Sequence, residues 1–167
     1  MSCLGILFSL DENAVNNLRS LPTDEQRRNH LVNNIEPEYF GFHPGHVAEL
    51  EKSWDAIHRS LTDGTLGYDA GQFPLNHVIL GGESLYSADD YIMSLKTPEA
   101  VRAISRALVT VSEDSLMQGY FLIDEVDYGF PTDREDFNHT WSTLDGSRQF
   151  WNMAAAENRW VLFAADQ

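Results

Sequence analysis

The segment of residues 50–61 places the strongest constraint on the fold. Four apolar residues recur there at the spacing of one face of an α-helix: Leu50, Trp54, Ile57 and Leu61. Four charged residues fall on the opposite face, as in a helix that packs on a core: Glu51, Lys52, Asp55 and Arg59. The pattern predicts a central amphipathic helix that begins near residue 45 and stops at the Asp63–Gly64 pair.

Apolar runs and helix-start residues divide the rest of the chain into strands and helices. Short apolar runs predict strands at residues 4–10, 78–80, 91–95 and 160–164. Residues that commonly cap helix N-termini predict further helices: Asp11, Thr23, Thr97, Ser112 and Thr132. The order predicts an α+β fold in one domain over residues 1–167. We expect a small mixed β-sheet of about four strands, covered by about six helices.

The formal net charge of −15 argues against several classes of function. Nucleic-acid binding gains most of its affinity by neutralising phosphates, so a chain this acidic is a poor candidate, and an anionic membrane surface would repel it. The N-terminus lacks the basic start of a secretory signal, and no apolar run reaches the roughly 18 residues of a membrane span. We expect a cytoplasmic protein whose charge favours a basic partner, although acidity alone is common in cytosolic proteins.

Sequence patterns typical of metal and nucleophile chemistry are missing. Cys3 is the only cysteine, which permits neither an internal disulfide nor a cysteine-based metal cluster. The chain contains no H-E-x-x-H, no G-x-S-x-G and no phosphate-binding P-loop. We therefore expect no metal ion and no cofactor, and the sequence indicates no catalytic residue.

Trp54, Asp55 and His58 are the first candidate ligand-binding residues. Trp54 and His58 are four positions apart and share a helix face, so the indole could wall a pocket in which the imidazole acts. The structural alternative is that Trp54 anchors the core while His58 bonds to a backbone carbonyl.

Gly81, Gly82 and Glu83 form a second candidate, because they follow an expected strand. Consecutive glycines there could present backbone N–H groups to an anion. A tight turn is the alternative, since glycine is the usual residue for a left-handed backbone. With Trp54 and His58, this turn defines one hypothesis: a small-ligand-binding protein or an enzyme with a pocket in this region.

The tract of residues 113–136 carries eight acidic residues and one base, Arg134. Aromatic residues interleave with these charges, and the centre of the tract supplies the candidate partner-binding residues: Asp124, Glu125, Asp127, Tyr128 and Phe130. Aromatic anchors among acidic groups are typical of a surface that binds a basic protein. The alternative is that the acids stabilise a helix N-terminus while the aromatics belong to the core.

Four stretches of the chain resemble the YfbM-like bacterial family of unknown function. They are LEKSWDAIH at 50–58, PLNHVILGG at 74–82, SLKTPEAVRAISRAL at 94–108 and FWNMAAAENRWVLF at 150–163. The resemblance runs from Leu4 to the end of the chain and implies a compact α+β domain. It implies no activity that can be carried over residue by residue.

The leading hypothesis is therefore a small acidic interaction module, of the immunity or inhibitor type, that binds a basic protein partner. The charge, the tract of residues 113–136 and the missing catalytic patterns favour it. The ligand-binding or enzymatic hypothesis requires a pocket into which His58 and a carboxylate point. Exposed aromatic residues within the acidic tract would instead favour the interaction module.

Overall fold

Five β-strands form one sheet within residues 3–167, the part of the chain that the computed structural model describes. They are β1 (Gly5–Leu10), β2 (Val47–Glu51), β3 (Glu83–Ser84), β4 (Tyr91–Lys96) and β5 (Trp160–Asp166). Their order is β2-β1-β5-β4-β3, and each neighbouring pair runs antiparallel. Strand β2 and the two-residue strand β3 are therefore the edges of the sheet.

Helices cover both faces of this sheet. They are α1 (Glu12–Ser20), α2 (Asp24–His30), α3 (Glu36–Phe42), α4 (Ser53–Leu61), α5 (Pro98–Leu108), α6 (Glu113–Tyr120), α7 (Glu125–Tyr128) and α8 (Arg134–Ala156). A π-helical turn, Leu31–Ile35, joins α2 to α3 without a break. None of the helices within residues 3–167 combines the length and the apolar character that crossing a membrane requires.

Alternation of side chains along the central strands divides the core into two layers. Leu7 of β1 and Phe163 of β5 belong to one buried cluster, together with residues of α4, α5, α6 and α8. Phe8 and Leu162, one position along each strand, belong to a second cluster with residues of α1 and α3. Because both faces are covered, β5 is buried at every position from 161 to 165. The first cluster also contains Tyr128, so α4, α7 and α8 lie on the same side of the sheet.

The predicted α+β architecture is confirmed, and several local predictions hold with it. Thr23, Thr97 and Ser112 are N-caps, because each hydroxyl accepts the backbone N–H three residues further along. Strands β4 and β5 lie close to their predicted positions. The cap of α8 is Asp133, one residue beyond the predicted Thr132, because the carboxylate reaches the backbone N–H that needs a partner.

Two details of the sheet differ from the prediction of a mixed sheet of about four strands. The sheet is fully antiparallel, and two of its five strands, β2 and β3, were not predicted. Residues 47–51 pair with β1 instead of opening the central helix, which begins only at Ser53. The predicted strand at residues 78–80 is wrong: this segment follows the 3₁₀ turn Leu75–His77 and continues as a turn. Its three apolar residues are buried, so their character reflects core packing and not strand pairing.

Candidate functional site

A cavity of about 330 Å³ lies where the start of α4 meets α7 and α8. Its lining includes aromatic rings, carboxylates and a histidine: Trp54, Asp55, Tyr128, Phe130, Asp136 and His139. The cavity thus unites two groups of residues that the sequence analysis proposed for different purposes. Trp54 and Asp55 were predicted to bind a small ligand, whereas Tyr128 and Phe130 were predicted to bind a protein partner.

Two aromatic walls of the cavity are fixed by hydrogen bonds. The Trp54 side chain is buried, and its indole Nε1 donates to the backbone oxygen of Cys3 at 2.9 Å. Tyr128 is also buried, and its hydroxyl donates to Oδ2 of Asp136 at 3.0 Å. Phe130 remains 57% exposed, with its ring centroid 5.4 Å from that of Tyr128. The rings of Trp54 and Tyr128 are therefore fixed in the cavity wall, and Phe130 is an exposed aromatic side chain beside them.

The Asp136 carboxylate organises the inner end of the cavity. Its Oδ2 accepts a second hydrogen bond, from the hydroxyl of Tyr120 at 2.5 Å. Burial and the neighbouring Asp136 charge raise the pKa of both tyrosines well above the ordinary value, so both remain proton donors at neutral pH. Two buried hydroxyls thus hold one half-buried carboxylate at the cavity wall.

Asp55 supplies the second carboxylate and joins the cavity to a buried arginine. Arg59 donates to the Asp55 carboxylate and to Asp127 of α7, while its own side chain is only 3% exposed. Burial raises the pKa of Asp55, an effect that its bond to Arg59 opposes. Burial works to lower the pKa of Arg59, but the bonds to Asp127 and Asp55 raise it overall. Arg59 therefore stays charged and ties α4 to α7.

His58 does not line this cavity. Its side chain is buried, and its Nε2 lies 2.8 Å from the backbone oxygen of Gly67, an acceptor that fixes Nε2–H as the donor. Its Nδ1 is buried without a hydrogen-bond partner among the described residues, and burial lowers the pKa of the ring. This arrangement matches the structural alternative, in which His58 bonds to a backbone carbonyl.

Gly81, Gly82 and Glu83 also lie outside the cavity, in a close-packed turn. A Cβ at Gly81 would approach Nδ1 of His77 to 2.5 Å, and Gly82 has φ +131°, where only glycine is free of strain. Glu83 forms an ion pair with Arg19 on the surface. The N–H of Gly81 donates to the backbone oxygen of Asn76 at 2.9 Å, so the close-packed turn fits its structural alternative.

The acidic residues of α7 have intramolecular partners. Asp124 caps α7 by accepting the backbone N–H of Val126 at 2.8 Å, and Asp127 pairs with Arg59. Glu125 accepts the backbone N–H and the hydroxyl of Thr132, and these bonds lower its pKa. These acids therefore also serve the local structure, as the alternative interpretation of the tract held.

Apolar side chains on the same segment are nevertheless exposed. Val126 is 92% exposed, and Leu122 is 80% exposed. We define the α7 surface as these two residues, Phe130 and the acids beside them: Asp124, Glu125 and Asp127. Isolated apolar residues on a surface are ordinary, but several within one short acidic segment are typical of a binding site.

Sequence reasoning missed four residues of this region. Asp136 and His139 are three positions apart on α8 and share a face, a spacing that could have placed them together. Leu122 and Val126 gave no such signal, because Leu122 stands in the apolar run 121–123 and Val126 stands between two acids, and both settings are equally compatible with burial. The predicted aromatics divide as well: Tyr128 is buried, whereas Phe130 is exposed.

Comparisons with known proteins bear on the fold and the family. A family model described as "Domain of unknown function (DUF1877)" matches residues 1–164. Comparison with curated protein sequences gives no significant match. Among solved structures, the chain is similar to YfbM from Escherichia coli, described as a protein of unknown function, with a TM-score of 0.70 and 19% identity over 97% of this chain and 99% of that chain. At that identity the likeness concerns the fold alone.

Proposed function

Because this chain belongs to the DUF1877 family of domains of unknown function, its function has to be inferred from its own surface, and we propose that it is an acidic interaction module that binds a basic protein. The α7 surface and the adjoining cavity make the contact. The exposed Val126, on a four-residue helix that is otherwise acidic or buried, is the observation that carries the proposal.

The physical argument is one of complementarity. The apolar groups of the α7 surface supply area to bury, while the acids around them supply long-range attraction to a basic partner. A chain of net charge −15 attracts such a partner from a distance and repels acidic competitors. The rigid attachment of α7 through Arg59 means that little ordering is needed on binding.

A small-ligand-binding function is the second candidate, and the cavity favours it. Its volume of about 330 Å³ is at the lower end of the range of small-molecule pockets. Asp136 and His139 would be its polar groups in place of His58. A thermal-shift screen of small ligands tests it, with Asp136→Asn expected to remove any shift and His58→Ala expected to preserve it.

Affinity capture tests the leading proposal. We would immobilise the full chain, pass lysate from its native host over it, and elute in steps of rising salt. We expect a basic protein in stoichiometric amount that moderate salt releases, because screening weakens attraction between exposed charges. The Val126→Ser/Phe130→Ser double variant should lose that protein.

Val109→Ser is the matched control, because Val109 is 77% exposed but lies outside the α7 surface, after α5. It should capture the partner as well as the wild type does. If the double variant captures as much partner as the wild type does, the α7 surface is not the contact. Capture that resists salt would refute the electrostatic part of the argument.

A further inference from the structure

The edge strand β2 has a free side. In the sheet order it neighbours only β1 within residues 3–167, so its outward N–H and C=O groups have no strand partner. The opposite edge is β3, which is only two residues long and offers little to pair with. A five-residue edge such as β2 is the usual template for adding an extended peptide.

A groove of about 440 Å³ runs between β2 and α8. Val47 and Ala48 both line it, although they belong to opposite faces of the sheet, so the groove reaches the free edge and not one face alone. Its α8 wall includes Gly146, where an added Cβ would meet no atom within 4 Å. The groove is therefore open at Gly146 on its α8 side.

The groove and the cavity at the start of α4 are neighbours, separated by one side-chain contact. Glu51 lines the groove, His139 lines the cavity, and the two side chains meet at 3.1 Å between Nε2 and Oε2. Both residues are exposed, so a bound segment can displace this contact at little cost. The helix α8 contributes residues to the lining of both.

Charge identifies the occupant. Along this path lie Glu49, Glu51, Asp55 and Asp136, opposed at the surface by Lys52. A second copy of this chain paired β2 to β2 would set Glu49 and Glu51 against the same acids, which is unfavourable. An extended segment with lysine or arginine at alternate positions meets these acids with opposite charge instead.

We propose that the groove between β2 and α8 binds an extended basic segment of the protein partner, as an added strand on β2, with one basic side chain entering the aromatic cavity. This inference rests on the proposed function and names the part of the partner that is recognised. Residues 47–49 of β2, which precede the bulge at residues 50–51, would pair with about 10 Å of extended chain.

The probe is an acetylated heptapeptide of alternating lysine and threonine, used with the full chain. A second peptide of the same sequence carries N-methyl groups on alternate amides, which retains the charge but prevents strand pairing. Binding would be followed by calorimetry, and by hydrogen exchange of the β2 amides that do not bond to β1. The indole resonance of Trp54 reports entry into the cavity, because Trp54 lines it.

Two variants test the groove without disturbing the fold. Glu49→Lys reverses an exposed edge charge, and Gly146→Leu fills the open space while improving the propensity of α8 for helix. We expect each to raise the Kd of the unmodified peptide about tenfold or more. Asp69→Lys, which makes the same charge change at an exposed loop position, should leave the Kd within about twofold of wild type after correction for net charge.

Each outcome decides the inference. Protection of β2 amides by the unmodified peptide alone supports it. Equal binding of both peptides would show attraction by charge without strand pairing, which overturns the groove but leaves the α7 surface as the proposed contact. Protected β2 amides without peptide, accompanied by dimers in sedimentation, would make a second copy the occupant. Failure of the proposed function is a separate result: the wild type captures no basic protein, or the Val126→Ser/Phe130→Ser variant captures it as well as the wild type does.

Discussion

The surroundings of His58 and the α7 surface use polar and apolar groups in opposite ways. Around His58 the polar groups are buried and bound to backbone oxygens, and even Lys96 is fully buried, with its Nζ bonded to the oxygens of Ile79 and Ser94. On the α7 surface Leu122 and Val126 point into solvent.

The contrast between buried polar groups and exposed apolar groups indicates which residues are candidates for a binding site. Burying a histidine or lysine costs free energy unless its polar atoms find partners, so such groups often mark strained but structural packing. A single exposed valine needs no explanation, whereas several exposed apolar side chains in one acidic segment are a reason to test for a partner. Judged by residue type, His58 is the candidate binding residue; judged by exposure in the structure, Val126 is the candidate.

Gly82→Ala should give the largest loss of stability and so test the structural side of this comparison. A Cβ at Gly82 would come within 2.5 Å of the backbone oxygen of Leu95, on a backbone with φ +131°. We expect the free energy of unfolding to fall by about 3 kcal/mol, measured by denaturant titration.

Gly129→Ala is the matched control for this experiment. Gly129 also has positive φ, +81°, but an added Cβ there meets no atom within 4 Å. It should cost only about 1 kcal/mol. Equal losses at the two sites would mean that the turn of Gly81 and Gly82 is not close-packed, and would reopen it as a binding site.

The pH dependence of stability gives the next largest effect. Burial, the neighbouring Lys96 and, to a smaller extent, Arg59 lower the pKa of His58 from its ordinary 6.5, while the Gly67 bond and Asp63 oppose them. The unfolded chain therefore binds a proton at a higher pH than the folded protein does. The free energy of unfolding should consequently fall as the pH drops below about 6.5, by at most about 1.4 kcal/mol per pH unit.

His58→Gln should reduce this slope between pH 7.5 and 5.5, because glutamine does not titrate and its amide can still donate to Gly67. His77, whose pKa burial also lowers, should retain part of the slope. His43→Gln is the control, since His43 is exposed. An unchanged slope in His58→Gln would show that the folded protein binds a proton at His58 as readily as the unfolded chain does.

Asp127→Asn should lower the free energy of unfolding by a smaller amount. Asp127 lies at the boundary between the surroundings of His58 and the α7 surface. Asp127 is a largely exposed partner of the buried Arg59, which keeps Asp55 and the backbone oxygen of Gly64 as acceptors. We expect a loss of about 1 kcal/mol in thermal unfolding. The exposed Glu135→Gln on α8 should change it by less than about 0.5 kcal/mol. Equal effects would show that Arg59 does not depend on Asp127.

Much of the fold could be predicted because local signals agreed with the tertiary structure. The caps at Thr23, Thr97 and Ser112 act within one turn, so nearby sequence determines them. Strand β2 could not be predicted, because pairing with β1 selects a strand from residues 47–51, and that partner is about 40 positions away.

The candidate site was predictable only in pieces. Trp54 and Tyr128 were each identified, but their meeting in one cavity depends on how α4 packs against α7 and α8. Nothing in the local sequence distinguishes Tyr128, which is buried, from Phe130, which is exposed. Burial is set by which face of a short helix meets the core, and α7 is too short to show a period.

Val126→Ser should have the smallest effect on stability and the largest on binding, and it tests the other side of the comparison. Val126 is 92% exposed, so its side chain gains almost nothing from folding, and the free energy of unfolding should change by less than about 0.5 kcal/mol. Partner capture should fall about fivefold, the change that corresponds to a loss of about 1 kcal/mol at a central contact residue. Val109→Ser, equally silent in stability, should leave capture intact. If both variants weaken capture alike, the loss is not specific to the α7 surface. If neither weakens it, attraction by net charge accounts for binding, since both variants keep the charge of the wild type.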